Sequence, residues 1–191
     1  LDQVSSLMLC LTSVLALAAS LYASSGEDEN GPFFHALLHF QVMGINGAFL
    51  TADLFNLFVF FEVLLIASYS LLIHGGGKAK NKAAVHYVIL NLVGSAMFLL
   101  ALALIYGASG TLNMLDLGTK VATLSDTQLQ LLQAAVALLL VVFGLKAAVM
   151  PLHFWLGNAY SSASPAVAAL FAIMTKVGIY SLLRVFAMVL Q

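Results

Sequence analysis

The chain consists of six long apolar segments separated by short polar connections. A helix that crosses the hydrocarbon core of a bilayer needs about 20 apolar residues. The pattern therefore predicts an all-α membrane protein with about six transmembrane helices, forming a single transmembrane domain over residues 1–191. The predicted helices cover 4–23, 33–50, 54–73, 83–106, 129–150 and 164–190, and a half-helix over 151–157 is predicted to follow the fifth.

The helix break after the fifth segment is predicted from Pro151. Proline removes one helical hydrogen bond and clashes with the preceding turn. In lipid such a break is tolerated only where protein or water satisfies the freed backbone groups. The segment between this break and the next helix ends at Ser164-Pro165, which is typical of an N-cap followed by the first helical residue.

The polar connections give further local predictions. Asp53 or Thr51 is expected to cap the third helix. The longest connection, 107–130, is predicted to hold a short surface helix near 112–117 and a capping box from Ser125 to Gln128. The loop with Lys78, Lys80 and Lys82 contains no acid, so it is predicted to face the cytoplasm.

The composition agrees with a membrane protein, since 62% of the residues are hydrophobic and 8% are charged. Soluble domains have about 25% charged residues. The net charge of −1 gives no argument for nucleic acid, and the single cysteine excludes an internal disulfide. His35 and His39 share a helix face but have no third ligand at a recognisable spacing, so no metal is predicted. No ligand pattern for haem, flavin or an iron–sulfur cluster is visible, and no cofactor is predicted.

Three ionisable residues lie deep in the predicted helices: Glu62, Lys146 and Lys176. A charge at the centre of a bilayer costs about 2.5–3.5 kcal/mol on insertion scales. Burial also disfavours the charged forms of carboxyl and lysine side chains, so such a lysine is suited to hold and release a proton. The alternative for Glu62 and Lys146 is a buried salt bridge that fixes helix register, but it does not account for Lys176.

Three further residues are candidates for a proton path. Tyr69 lies seven residues after Glu62, on nearly the same helical stripe. His153 lies seven residues after Lys146 and shares its stripe only if the helix stays regular through Pro151. His86 lies near the predicted cytoplasmic end of the fourth helix; a hydrogen-bonded interfacial histidine is the alternative.

These residues lie in stretches that resemble a known family. The chain is similar to the antiporter-like membrane subunits shared by Mrp-type cation/proton antiporters and respiratory complex I, and most similar to the D-type subunits of the Mrp group. The resemblance covers the whole chain and is carried by FHALLHFQVMG (34–44), DLFNLFVFFEVLLIASY (53–69), GLKAAVMPLHFWL (144–156) and MTKVG (174–178).

The resemblance implies the first part of a larger subunit. Such subunits have about fourteen helices with two inverted five-helix repeats, and this chain would hold the third to the eighth helix. The chain begins without Met and stops at the end of an apolar helix, and we expect a piece of a longer protein. Glu62 would modulate Lys146, and Lys176 would pass protons to the second repeat. One departure is Gly157, where the family usually has proline.

The predicted function is a proton-translocating subunit of a monovalent cation (Na⁺)/H⁺ antiporter. Its expected partners are other membrane subunits, the lipid bilayer and the transported ions, in a multi-pass cell-membrane complex. The first alternative is a proton-pumping subunit of a redox complex, such as NADH:quinone oxidoreductase or a membrane hydrogenase. The second alternative is a membrane scaffold that transports nothing. None of these predictions assigns an enzymatic reaction to the chain itself.

Overall fold

The computed structural model describes residues 2–189, and this part of the chain is helical without a strand. The long helices form one bundle with a shared apolar core. The α-helices are α1 (Gln3–Ala23), α2 (Phe34–Leu50), α3 (Leu54–Ile73), α4 (Lys78–Ser109), α5 (Met114–Lys120), α6 (Asp126–Lys146), α7 (Leu156–Ser162) and α8 (Pro165–Val189). The predicted all-α membrane class is confirmed.

Five of the described helices are long and apolar enough to cross a membrane: α1, α3, α4, α6 and α8. The remaining predicted span, 33–50, corresponds to α2, which has 17 residues. At 1.5 Å per residue α2 is about 26 Å long, slightly less than the hydrocarbon thickness of about 30 Å. It packs against α1, α3 and α8, and it ends at the turn over residues 51–53 that leads into α3.

Small residues let α2 approach α3 closely. A Cβ added to Gly44 would lie 2.6 Å from the backbone nitrogen of Leu64, and one on Gly47 would lie 2.2 Å from the ring of Phe60. Neither position has room for a larger side chain. Packing through small residues is the usual way in which membrane helices associate, because lipid gives no hydrophobic drive between them.

The helices that follow the polar connections begin with capping hydrogen bonds. Asp53 Oδ1 accepts a hydrogen bond from Asn56 N at 2.9 Å and caps α3. In the long connection, α5 begins after Asn113, whose side chain accepts from the first-turn N–H groups. Gln128 Oε1 accepts from Ser125 N at 3.0 Å at the start of α6. The Asp53 cap, the short helix and the capping box from Ser125 to Gln128 match the sequence predictions, whereas the Asn113 cap was not predicted.

The end of α6 differs from the prediction. The helix ends at Lys146, four residues earlier than expected. Pro151 lies in the non-helical segment that follows, and the predicted half-helix over 151–157 is wrong, because α7 begins only at Leu156. The chain leaves the helix at Ala147 and Ala148, and Ala148 has a left-handed backbone with φ of 54°.

A polar cluster joins three helix ends. Arg184 on α8 donates through Nη1 to Asp2, the N-cap of α1. Arg184 Nε donates to the Tyr180 hydroxyl at 2.9 Å, and that hydroxyl donates to the carbonyl of Phe49 at 3.0 Å. A hydrogen bond from Ser5 N lowers the pKa of Asp2 and favours its charged form. The cluster therefore connects α1, the end of α2, and α8.

Candidate functional site

The ammonium group of Lys146 lies inside the bundle, and the residue is 4% exposed. Lys146 Nζ donates to Ser95 Oγ at 3.1 Å and to the carbonyl of Asn91 at 3.4 Å, both on α4. The centroid of the Phe61 ring lies 5.8 Å from Lys146 Nζ. A buried cation is stabilised by such acceptors and by the negative face of an aromatic ring.

Ser95 links this lysine to Glu62. Its hydroxyl donates to Glu62 Oε1 at 2.5 Å, while its oxygen accepts from Lys146 Nζ. Glu62 belongs to α3, Ser95 to α4 and Lys146 to α6, so the row crosses three helices. Within residues 2–189, Glu62 and Lys146 form no ion pair at 4.0 Å or less. The two predicted ionisable residues are therefore brought together through a serine.

Gly94 allows α4 and α6 to pack closely at this site. A Cβ on Gly94 would lie 2.8 Å from Leu145 Cδ2 and 3.7 Å from Lys146 Cε. A larger side chain at position 94 would press against the residues that carry the site. The sequence analysis did not assign Gly94 to the site, although a glycine beside a serine is typical of close contact between membrane helices.

Three carbonyls at the end of α6 accept hydrogen bonds from the segment that follows. The carbonyl of Phe143 accepts from Ala147 N at 2.8 Å, and that of Gly144 accepts from Val149 N at 2.9 Å. Trp155 Nε1 donates to the carbonyl of Leu145 at 2.9 Å. The C-terminal end of a helix carries partial negative charge, so a lysine as its last residue is favourably placed.

An aromatic cluster encloses one side of the site. The ring centroid of Phe98 lies 5.2 Å from that of Phe143, and that of Phe61 lies 6.2 Å from both. All three side chains are buried. Because this wall is apolar and densely packed, it lowers the local dielectric and strengthens the polar contacts of Lys146.

A polar stripe on α4 extends from the site. Tyr87, Asn91 and Ser95 are spaced four residues apart, so they lie on one face of the helix. Asn91 Nδ2 donates to the carbonyl of Tyr87 at 3.0 Å, and the Tyr87 hydroxyl lies 2.9 Å from Ser68 Oγ. The stripe therefore gives α4 a buried polar line next to Lys146 in a helix that is otherwise mostly apolar.

Lys176 lies apart from this row. It is halfway along α8, as predicted, but its side chain is exposed on the outer face of the bundle. Its Nζ donates to Thr175 Oγ1 at 3.2 Å. Of the three ionisable groups expected to be buried, only Lys146 is buried in the described part of the chain, since Glu62 is half-buried and Lys176 is exposed. Lys176 lines a groove of about 300 Å³, and Ala147, the residue after Lys146, lines the same groove.

The histidines lie outside the Lys146 site. His153 is exposed and stacks on Phe154. The condition for its sharing a helical stripe with Lys146 is not met, because α6 ends before Pro151. His86 is exposed and lines a cleft of about 340 Å³ between α4 and α7. This cleft is also lined by Lys82 and Asn158.

Tyr69 is half-buried on α3, two turns after Glu62. Its ring lies edge-on to that of Tyr87, with centroids 5.1 Å apart. Tyr69 therefore packs against the polar stripe of α4.

Three residues of the site were not predicted: Ser95, Asn91 and Trp155. The available signal was the four-residue spacing of polar side chains on α4. In the sequence, Ser95 is equally typical of a packing patch with Gly94 and Ala96, and its partners on other helices follow only from the tertiary arrangement.

Comparison with known proteins agrees with this architecture. The family model of the NADH:quinone oxidoreductase/Mrp antiporter transmembrane region matches residues 51–191. The D subunit of a probable K⁺/H⁺ antiporter of Rhizobium meliloti is 53% identical over 99% of this chain and 35% of the relative. The D subunit of an Na⁺/H⁺ antiporter of Bacillus subtilis is 42% identical over 98% of this chain and 38% of the relative.

A solved structure of the Mrp complex from Dietzia sp. DQ12-45-1b contains a similar chain. It superposes with a TM-score of 0.90 at 40% identity, covering 99% of this chain and 35% of that one. The chain thus spans somewhat more than a third of the length of the proteins that it matches.

Proposed function

We propose, since this chain belongs to the NADH:quinone oxidoreductase/Mrp antiporter transmembrane family, that it moves protons in exchange for a monovalent cation. Lys146 holds the central proton, and Glu62 modulates how tightly it is held. Lys176 relays the proton onward. The working unit is the longer subunit within a complex of several membrane subunits.

The observation that carries the proposal is the row Lys146–Ser95–Glu62, in which Lys146 and Ser95 are buried and Glu62 is half-buried. A lysine that is 4% exposed and has only neutral groups as direct partners is costly to keep charged. A carboxylate one hydroxyl away stabilises the charge without neutralising it through a direct ion pair. A small change in this contact therefore changes the proton occupancy of Lys146, as a transported proton requires.

The position of Lys176 supports its role as the next station. Ala147 and Lys176 line one groove, so the end of α6 reaches the face of the bundle that carries this second lysine. A Cβ on Gly178 would lie 2.6 Å from Ala147 N, which shows how closely α8 approaches that helix end. Lys176 is therefore the basic group on α8 that borders the same groove as the residue after Lys146.

The comparisons favour an antiporter over a redox complex. The relatives at 53% and 42% identity are named as subunits of K⁺/H⁺ and Na⁺/H⁺ antiporters, whereas the family as a whole also includes NADH:quinone oxidoreductase. The proposed cargo is therefore H⁺ against K⁺ or Na⁺, the two ions named for these relatives.

The proposal is tested by cation-driven proton movement in inverted vesicles that carry the full-length complex, with K⁺ and Na⁺ in separate assays. Glu62→Gln removes the negative charge but keeps the size of the side chain. We expect exchange to fall at least about tenfold, because Lys146 loses its charged stabiliser. Glu29→Gln, on an exposed turn, is the matched control and should behave as wild type. Wild-type vesicles that exchange neither cation, or unchanged exchange by Glu62→Gln, would contradict the proposal.

A further inference from the structure

We infer that Ser95 is the proton relay between Lys146 and Glu62, and that its hydroxyl transfers the proton that these two residues share. This inference rests on the function proposed above and deepens it. Ser95 lies at 6% exposure between the two ionisable side chains. Its role goes beyond helix packing because both of its side-chain hydrogen bonds run to residues of other helices.

The two distances define the orientation of the hydroxyl. A serine hydroxyl has one proton to donate and two lone pairs to accept with. Ser95 Oγ donates to Glu62 Oε1 at 2.5 Å and accepts from Lys146 Nζ at 3.1 Å. Its proton therefore points to the carboxylate, and its lone pairs point to the ammonium group. This is the orientation that a relay needs before it transfers a proton.

Three other serines in the spanning helices bond differently from Ser95, which also differs from Ser5 and Ser68 in contacting two ionisable side chains of a proposed path. Ser70, Ser109 and Ser181 each donate to the carbonyl four residues earlier in their own helix. Such bonds are the usual choice of a serine in a helix interior. Within the described part of the chain, Ser95 Oγ has no such bond, so its hydroxyl can reorient between α3 and α6.

The relay step conserves atoms and charge. The N–H bond of the Lys146 ammonium breaks as a new O–H bond forms at Ser95 Oγ. The original O–H bond of Ser95 breaks as its proton binds Glu62 Oε1. The products are a neutral amine, an intact serine and a neutral carboxylic acid. The new O–H bond of Ser95 points to the Lys146 amine, ready for the reverse transfer, and rotation of the hydroxyl back towards Glu62 restores the orientation for another forward transfer. No oxidant, reductant or further reactant is required.

The other direct neighbours of Lys146 cannot perform this step. The carbonyl oxygen of Asn91 accepts a hydrogen bond at 3.4 Å but has no proton to pass on. The Phe61 ring stabilises the charge only through its face. Ser95 is therefore the one group in the described site that contacts both ionisable residues and can accept and donate at once.

The first test compares three variants of the full-length complex in the exchange assay. Ser95→Ala removes the hydroxyl, Ser95→Thr retains one, and Ser181→Ala removes a buried hydroxyl that bonds only to its own helix. We expect Ser95→Ala to lower exchange roughly a hundredfold, the lower end of what a positioned proton-transfer group contributes. Ser95→Thr should recover most of that loss, and Ser181→Ala should match wild type, with normal assembly in all three.

The second test reads the hydrogen bond itself. Infrared difference spectra recorded on acidification contain the C=O stretch of protonated Glu62, identified as the band that Glu62→Gln abolishes. Loss of the Ser95 hydroxyl should move this band to higher frequency in Ser95→Ala and leave it in place in Ser181→Ala. This readout remains informative if the threonine variant packs poorly, because it does not depend on turnover.

The outcomes separate the relay from the proposed function. If Lys146→Ala abolishes exchange while Ser95→Ala exchanges like Ser181→Ala, the relay is wrong and the proposed function stands. An unshifted Glu62 band in Ser95→Ala also overturns the relay. If Lys146→Ala itself retains exchange, the proposed function and the relay are both wrong. A loss in Ser95→Ala with recovery in Ser95→Thr and a shifted band supports the relay.

Discussion

At the scale of single residues, the site depends on how the chain is held just after Lys146. The Trp155 indole donates to the carbonyl of Leu145 at 2.9 Å and thereby closes the segment between α6 and α7 onto the helix end. The same ring stacks on Tyr87, with centroids 5.0 Å apart and 28° between the planes. Trp155 thus connects the backbone beside Lys146 to the polar stripe of α4.

Replacing Trp155 by phenylalanine tests this connection. The variant keeps an aromatic ring against Tyr87 but loses the N–H donor to Leu145. We expect a loss of stability of about 1 kcal/mol, the net worth of one buried hydrogen bond, together with reduced exchange. The measurement is the thermal unfolding midpoint of the purified complex beside the vesicle assay. Phe154→Leu, at the exposed position just before Trp155, is the control. Wild-type stability in Trp155→Phe would exclude the bond as a constraint on Lys146.

Some residues of the site were predictable, and the physical reason is cost. A carboxyl or ammonium group within an apolar helix is expensive, so Glu62 and Lys146 stand out in the sequence. Ser95 does not, because a serine can satisfy its hydroxyl on its own helix at little cost. The position of Lys176 halfway along α8 was also predictable, but the direction of its side chain was not, since that depends on how α8 rotates against its neighbours.

At the scale of helices, small residues determine how closely the site can be assembled. Gly94 brings α4 against Leu145, and Gly178 brings α8 against the backbone of Ala147. The contact at Gly178 leaves less room for a larger side chain than the contact at Gly94. A Cβ on Gly178 would lie 2.6 Å from Ala147 N and 2.8 Å from its Cα, and backbone atoms at a helix end cannot move aside as a flexible side chain can.

Gly178→Ala is therefore expected to separate α8 from the end of α6. Overpacking of this kind costs about 1–3 kcal/mol, and it should lower both the unfolding midpoint and the exchange rate. Gly107→Ala is the matched control, because a Cβ on this helical glycine meets nothing within 4 Å. The control should be neutral or more stable by up to about 1 kcal/mol. A Gly178→Ala complex as stable as the Gly107→Ala complex would show that this contact does not position the site.

The helix ends show where local sequence rules stopped being sufficient. The caps at Asp53 and Asn113 depend on nearby residues and follow known preferences. The end of α6 depends on distant ones, since Trp155 takes up the carbonyl of Leu145 and the chain turns at Ala148. Proline chemistry indicated a break near Pro151, but the tertiary contacts moved it to Lys146.

At the scale of the whole molecule, the described helices form a bundle that holds the buried Lys146 and Ser95 next to the half-buried Glu62. The outer surface is apolar, as lipid contact requires, with exposed residues such as Leu7, Val14 and Leu183. The Asp2–Arg184 cluster joins α1 to α8 at one end of this bundle. The Lys146 row lies among α3, α4 and α6, and Lys176 lies on the exposed face of α8.

The central claim is that Lys146 carries the transported proton. The most direct test measures cation-driven proton movement by the full-length complex with Lys146→Ala, beside Lys120→Ala as a control. Lys120 is a lysine on α5 whose side chain is 41% exposed and pairs with Asp116 at 3.0 Å. The account predicts a loss of at least about a hundredfold for Lys146→Ala, with normal assembly on native gels and wild-type exchange by Lys120→Ala. Undiminished exchange in a normally assembled Lys146→Ala complex would contradict it and leave Lys146 as a structural partner of Ser95 and Glu62.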